Sequence, residues 1–302
     1  MRNVTLGSMI RDLRKRANLT QEELSLGICS SVSISRIETG VQMPSSKVLD
    51  ALLSRLGTST YQICNVYYKS DRQLEFEKEA DIAAEHMKNG KYDEAKRIMD
   101  SIKDMVNENR LNLQYYLLLE ASLEIYQNKD PEETISILKR ALEITKPSFD
   151  YSDFRGVLLT YREANILSLL MIAYFRCGNV LYAIDLGKEL IGTMKKHDSL
   201  LKEYNLVKLN VTVNLSQFLE QEHRYKEALM CIEEAESLSS RFNEHAMLPE
   251  ILFLKAKELY YLGDQEECLR ILKIVLPYME LINKTEFANI ARALLLRIED
   301  NK

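Results

Sequence analysis

Along most of the chain, apolar residues recur every three or four positions, as at Leu118, Ala121 and Ile125 or at Ala256, Leu259, Tyr260 and Leu262. That period places them on one face of a helix, and no β-branched run alternates with period two for long enough to make a strand. The pattern predicts an all-α protein. A group of short helices ends near Gly57, a last short helix is expected at residues 59–67, and the polar run Lys69, Ser70, Asp71 opens a longer one. A boundary at about residue 70 then divides the 302 residues into a head, 1–70, and a body, 71–302.

In the body one pattern returns five times: a helix, a tight polar turn, and a second helix with a small residue one turn in. The copies are Gly90 to Ala95, Asn128 to Thr134, Gly178 to Ala183, His223 to Ala228 and Gly263 to Cys268, and their last residues stand 39, 49, 45 and 40 positions apart. The Gly or Asn accepts a left-handed backbone at the helix end, and the small residue lets the two helices of a hairpin approach closely. Helical hairpins repeating every 34 to 47 residues or so mark a solenoid of the tetratricopeptide or HEAT kind. The copies resemble tetratricopeptide repeats, most clearly Gly90 to Ala95 and Arg224 to Ala228, and the resemblance implies a right-handed superhelical solenoid of about five hairpins. The chain departs from that pattern in its longer spacings, in having no Trp, and in placing only Pro147, Pro249 and Pro277 near inter-repeat turns.

Composition narrows the classes. An apolar fraction of 46% with only 10 Gly and 5 Pro excludes wholesale disorder. The longest near-apolar stretch, Asn165 to Phe175, is well short of the roughly 18 residues a membrane span needs. Arg11, Arg14, Lys15 and Arg16 stand where a signal peptide would have its apolar core, so a cytoplasmic location and no membrane partner are expected. The five Cys include no CxxC pair, and His86, His197, His223 and His245 are far apart with no metal-ligand spacing. With no Gly-rich phosphate loop and no nucleophile-base arrangement either, no catalytic residue, metal or cofactor is assigned. Charge changes the picture most. Residues 1–70 carry 9 Lys/Arg against 5 Asp/Glu, and the rest carry 31 against 40. A basic head on an acidic body suggests that only the head meets a polyanion.

Within the head, Thr20 can cap a helix and Glu23 can complete a capping box. Leu24, Ile28, Cys29, Ile34 and Ile37 supply one apolar face over two short helices. That leaves Ser30, Ser31, Val32, Ser33, Ser35 and Arg36 pointing outward. A row of small hydroxyls with one Arg suits a helix in a DNA major groove, where Ser meets several base edges and Arg can be bidentate to guanine. Leu19-Thr-Gln-Glu-Glu-Leu, followed by Ile34-Ser-Arg-Ile-Glu-Thr-Gly40 and Pro44-Ser, resembles the Xre type of helix-turn-helix. By that resemblance Gln21 touches a phosphate, Ser31, Val32, Ser33, Ser35 and Arg36 face bases or backbone, and Arg14 with Glu38 form a structural ion pair. The turn before the third helix departs from the class in lacking its common glycine, with Ile28 and Cys29 filling it.

Joined to the repeats, the head makes the whole chain similar to the PlcR, Rgg and PrgX group of regulators. The resemblance implies a homodimeric transcription regulator that binds a short re-imported signalling peptide in its solenoid; two heads related by a dyad are expected to read a pseudo-palindromic operator, with RNA polymerase a further candidate partner. In the fourth repeat Asn210, Asn214 and Gln217 fall on one helix face and should line the concave groove, where amides pair with an extended peptide. Asn214 stands where the group places a peptide-contacting Asn. Tyr174, Lys208, Lys255 and Tyr261 are further candidates on the same and neighbouring helices, and Ser168 stands in the third repeat at a position often filled by Asn. Two other readings stay open: an adaptor whose solenoid sequesters a partner protein, and a DNA-binding repressor with no peptide.

Overall fold

A computed structural model describes residues 6–57, 71–195 and 202–300. Four helices build the head: α1 (Leu6–Arg16), α2 (Gln21–Ser25), α3 (Ser31–Glu38) and α4 (Ser46–Arg55). Thr20 and Glu23 form the reciprocal capping box at α2, and Ser30 and Ser45 cap α3 and α4 through the N–H groups of Ser33 and Val48. The caps set where each short helix begins, and burial of Ile10, Leu24, Ile34, Ile37, Leu52, Leu53 and Leu56 holds the four together. α1 and α3 meet at Gly7, where a Cβ would lie 2.0 Å from the Ile37 carbonyl oxygen, so only glycine permits the approach. The turn between α2 and α3 corrects the sequence reading. It does carry its glycine, Gly27 at φ +73°, while Ile28 and Cys29 pack against the core. The short helix expected at residues 59–67, with the boundary near 70, lies outside the described residues.

The body starts with α5 (Asp71–Lys88) and continues through α6 (Tyr92–Ser101), α7 (Arg110–Tyr126), α8 (Pro131–Glu143), α9 (Tyr161–Arg176), α10 (Val180–Lys195), α11 (Lys202–Gln221), α12 (Tyr225–Phe242), α13 (Leu248–Tyr261), α14 (Gln265–Leu281) and α15 (Thr285–Glu299). Ala95, Thr134, Ala183, Ala228 and Cys268 are each at most 1% exposed, at the points where paired helices cross. The turns before them are left-handed at Gly90, Asn128, Gly178, His223 and Gly263. His223 is the unexpected member, and its Nδ1 lies 2.7 Å from the Tyr225 hydroxyl. Tyrosines occupy hairpin ends in a chain without Trp: Tyr92 stacks on Tyr126, and Tyr225 on Tyr261 with ring centroids 4.6 Å apart.

First helices of successive hairpins pack on one another along α5, α7, α9 and α11, and again between α13 and α15. Second helices sit behind them, so the faces of first helices turned from their partners form the groove. The fold is thus all-α, a helix-turn-helix followed by a tetratricopeptide-like solenoid, with no strand among the described residues. The 49-residue spacing has a local cause in the connection between α8 and α9. Glu189 on α10 receives the Phe154 N–H and the Arg155 guanidinium, and Lys146 Nζ donates to the Leu158 carbonyl. Leu158 in turn meets Gly57 at the end of the head, close enough that a Cβ on Gly57 would lie 2.9 Å from its own. Pro277 falls inside α14 instead of at a turn. No helix among the described residues is long and apolar enough to cross a membrane.

Candidate nucleic-acid interface and repeat groove

The outward face of α3 is set from beneath by one carboxylate. Arg14 reaches from α1 with Nε 2.6 Å from Glu38 Oε1 and Nη2 2.9 Å from Oε2, a bidentate pair, and its Nη1 donates to the Leu19 carbonyl. Gln21 Nε2 donates to the same Glu38 Oε2 at 2.9 Å. Burial alone would raise the Glu38 pKa. The hydrogen bonds from Arg14 and Gln21, with the Arg14 charge, outweigh it and hold the carboxyl below its usual range. One ionised side chain therefore joins α1, the start of α2 and the end of α3. Arg55 on α4 completes the frame by donating to the Leu24 and Leu26 carbonyls at the end of α2.

On that frame Val32 stands 60% exposed, Arg36 is exposed, and Ser31 and Ser35 are half-buried beside them. Ser31, Val32 and Ser35 share a concavity with Arg14, Thr20, Gln21 and Glu22. Ser33 is more committed, its hydroxyl 2.9 Å from that of Ser30 at the helix cap. A primary amide has two N–H donors, so the Glu38 bond leaves Gln21 one for a phosphate. Thr20 and Glu22 also line this concavity, where their sequence signals, a helix cap and an acidic first turn, point only to helix initiation.

In the body, Asn210 and Gln217 are exposed and Asn214 half-buried along one face of α11. The other candidates do not join them. Lys208 lies about 160° around the helix from Asn210 and is buried, 3% exposed. Lys255 turns to α12, its Nζ 2.7 Å from Glu236. Tyr174 packs edge-on to Tyr182 with Lys139 above its ring, both on second helices. Tyr261 is held in its stack on Tyr225. Ser168 is buried as well. The 45-residue offset between the third and fourth repeats explains that outcome, because it aligns Asn165, not Ser168, with Asn210, and Leu169 with Asn214. Asn165, Leu169 and Ile172 are the half-exposed groove face of α9, a set the repeat offset alone could have found.

The geometry of the head agrees with comparison to known proteins. Residues 10–63 match the helix-turn-helix family. No curated protein matches the chain by sequence. Among solved structures, Bacillus thuringiensis PlcR in complex with the peptide PapR7 and DNA is similar over 95% of this chain and 98% of its own, at 21% identity and a TM-score of 0.60. ComR from S. thermophilus, in complex with DNA and its signalling peptide ComS, covers 98% of this chain and 100% of its own at 16% identity and a TM-score of 0.54. A Podospora anserina kinesin-light-chain array of TPR-like repeats matches 70% of this chain and 97% of its own, at 14% identity and a TM-score of 0.50. The helix-turn-helix and the repeats therefore form an arrangement shared from end to end with PlcR and ComR.

Proposed function

We propose that the protein is a cytoplasmic, sequence-specific transcription regulator that binds DNA as a homodimer and is switched by a short signalling peptide in the concave face of its repeats. The reading is carried by the joint presence of two surfaces in one chain: an outward row of exposed Val32 and Arg36 with half-buried Ser31 and Ser35 on a rigidly framed α3, and an Asn/Gln stripe on α11. Val32, Ser31, Ser35 and Arg36 read base edges, and Gln21 and Ser33 meet the backbone. One recognition helix spans only a few base pairs, so two heads related by a dyad would read a pseudo-palindrome, with RNA polymerase met at the promoter. PlcR and ComR have been seen with both kinds of ligand, which supports carrying both to this chain.

Coupling between the sites requires that the peptide bind the DNA-competent arrangement better than the other. α5 and the contact of Leu158 with Gly57 are the routes by which a change in repeat geometry would reach the head. The test is selection of bound sequences from a random duplex pool by the full-length protein, with and without a pool of short synthetic peptides. A palindrome enriched mainly with peptide present is expected. The same palindrome in both arms removes the peptide switch, and no enrichment in either favours a protein-sequestering adaptor.

A further inference from the structure

The hairpin of α13 and α14 carries apolar residues on its outside. On α14, Ile274 is 58% exposed, Tyr278 49% and Leu281 76%, with Pro277 exposed between them. The helical period sets the four within about 100° of arc, opposite the side that Cys268, Leu272, Val275 and Met279 bury. Elsewhere on the solenoid these positions are polar or covered. By the repeat offset of 40, α12 has Glu234, Ser237 and Arg241 where α14 has Ile274, Pro277 and Leu281. Tyr278 answers to Leu238, which α11 and α13 bury to 4% exposure. A solenoid needs a polar outer face on its terminal repeat to stay soluble, and a contiguous apolar stripe in that place marks a contact surface.

The stripe is complementary to itself. Its apolar positions stand three or four residues apart and read alike in either direction, so an antiparallel copy would set Ile274 against Leu281 and Pro277 against Tyr278. Lys273 and Glu280 lie on one flank of it, equally far from its centre to within a residue, and both are exposed. A two-fold axis beside Pro277 would therefore bring each Lys273 to the Glu280 of the second copy, whereas a parallel pair would oppose like charges. Lys273 makes no ion pair among the described residues, and Glu280 meets Arg292 of α15 with both side chains about half exposed. The area also fits. At the exposures above, the four side chains present on the order of 400 Å² of apolar surface. An interface of standard size takes about 800 Å² from each partner, a little over half of it apolar.

We propose that α14 is the face on which two copies of the chain meet, packed antiparallel across a two-fold axis beside Pro277. The inference rests on the homodimer of the reading above and names where its copies join. Such an interface is isologous, so one surface closes the pair and leaves nothing over for a third copy. With the copies joined at α14, each head reaches the axis through the hairpins from α9 to α14. A small change in repeat geometry is then summed along the solenoid into a change in the spacing of the two α3 helices.

The test is sedimentation velocity of the full-length protein across a concentration series. Ile274→Glu combined with Leu281→Glu should weaken dimerisation about a hundredfold, since each new carboxylate would be buried against its counterpart. The charged flank gives a readout that misfolding cannot imitate. Lys273→Glu and Glu280→Lys should each weaken self-association about tenfold, and an equimolar mixture of the two should restore it to within about threefold of wild type, because every residue 273 then faces a residue 280 of opposite sign. A weakened dimer that mixing does not restore overturns the antiparallel arrangement. A dimer that Ile274→Glu with Leu281→Glu leaves as strong as wild type overturns the α14 face while the homodimer reading stands. Wild type that stays monomeric throughout, alone and on a palindromic duplex, removes both and leaves the stripe to a different protein.

Discussion

Head and body solve the same problem, presenting a polar face on packed helices, with different tolerances. In the head, Glu38 is tied by Arg14 and Gln21, and Gly7 brings α1 to within backbone contact of α3. In the body, Gly187 on α10 is as tightly placed, yet what a Cβ there would meet is the Met171 sulfur at 2.6 Å, the far end of a flexible side chain. A recognition helix must arrive at base edges within a fraction of an ångström, whereas a solenoid can adjust through many soft contacts. Rigidity has been placed where the geometry of the partner is fixed.

The sharpest way to break the comparison is Arg14→Ala. It leaves the Glu38 carboxylate, its side chain 3% exposed, without its main cation, a change that costs about 3–5 kcal/mol when a buried pair loses one partner. Hydrogen exchange on the full chain should show residues 6–57 losing protection while 71–300 keep theirs; equal loss in both would mean that the regions unfold as one unit. The two regions should also answer oppositely to pH. Glu38 is held below its unfolded value of about 4.3, so its contribution is fully present above that value and is lost as pH falls through the folded one. Glu258 is raised, by burial first and the Glu220 charge second, to about 8, so the native state holds the extra proton and stability around α13 falls as pH rises from about 4.3 toward that value. Thermal unfolding between pH 5 and 8 should lose this slope in Glu258→Gln.

Next in size is the paired glycine test. Gly7→Ala presses a methyl into the Ile37 carbonyl and should cost about 3 kcal/mol, the upper end for overpacking, because backbone must move. Gly187→Ala should fall within about 1 kcal/mol of wild type, since Met171 can rotate and a helical alanine returns about 0.5–1 kcal/mol of backbone entropy. Denaturant melts of both variants check the difference, and near-equal losses would remove the claim that the body is the softer region. Arg36→Ala comes third. With no role in the frame, it should leave stability unchanged and reduce specific DNA affinity by about 1–3 kcal/mol, with little change on a scrambled duplex. Loss on both duplexes alike would make Arg36 a phosphate contact.

What the sequence made legible follows the same division. Local rules suffice for caps and turns, so Thr20 with Glu23, the left-handed Gly90, Asn128, Gly178 and Gly263, and the buried small residues of each hairpin could all be read in advance. Gly27 is less legible, since the apolar Ile28 and Cys29 beside it read equally well as filling the turn. The groove was harder, since whether a first-helix residue faces it depends on which neighbouring helix claims the side chain. Lys255 and Tyr174 look like groove residues by sequence and are taken by α12 and by α8 and α10. The inward turn of Lys208 follows from its angle on the helix, and the groove position of Asn165 from the repeat offset, both legible in the sequence.

The smallest expected effect tests the groove itself. Asn214 is half-buried between exposed Asn210 and Gln217, so under the proposed function a peptide backbone crossing α11 would meet it from the open side. A neutral amide bond to a ligand backbone contributes about 1 kcal/mol net, because both partners give up water to make it. Asn214→Ala should therefore weaken peptide binding only five- to tenfold or so, with DNA affinity in the absence of peptide unchanged. Because the body adapts through soft contacts, Asn210→Ala and Gln217→Ala should each cost less than Asn214→Ala, and the triple variant more than the three single losses together, as neighbouring amides stop covering for one another. Strict additivity across the three would indicate independent contacts on a groove as rigid as the head, and the contrast between the two regions would then lie in their partners and not in their packing.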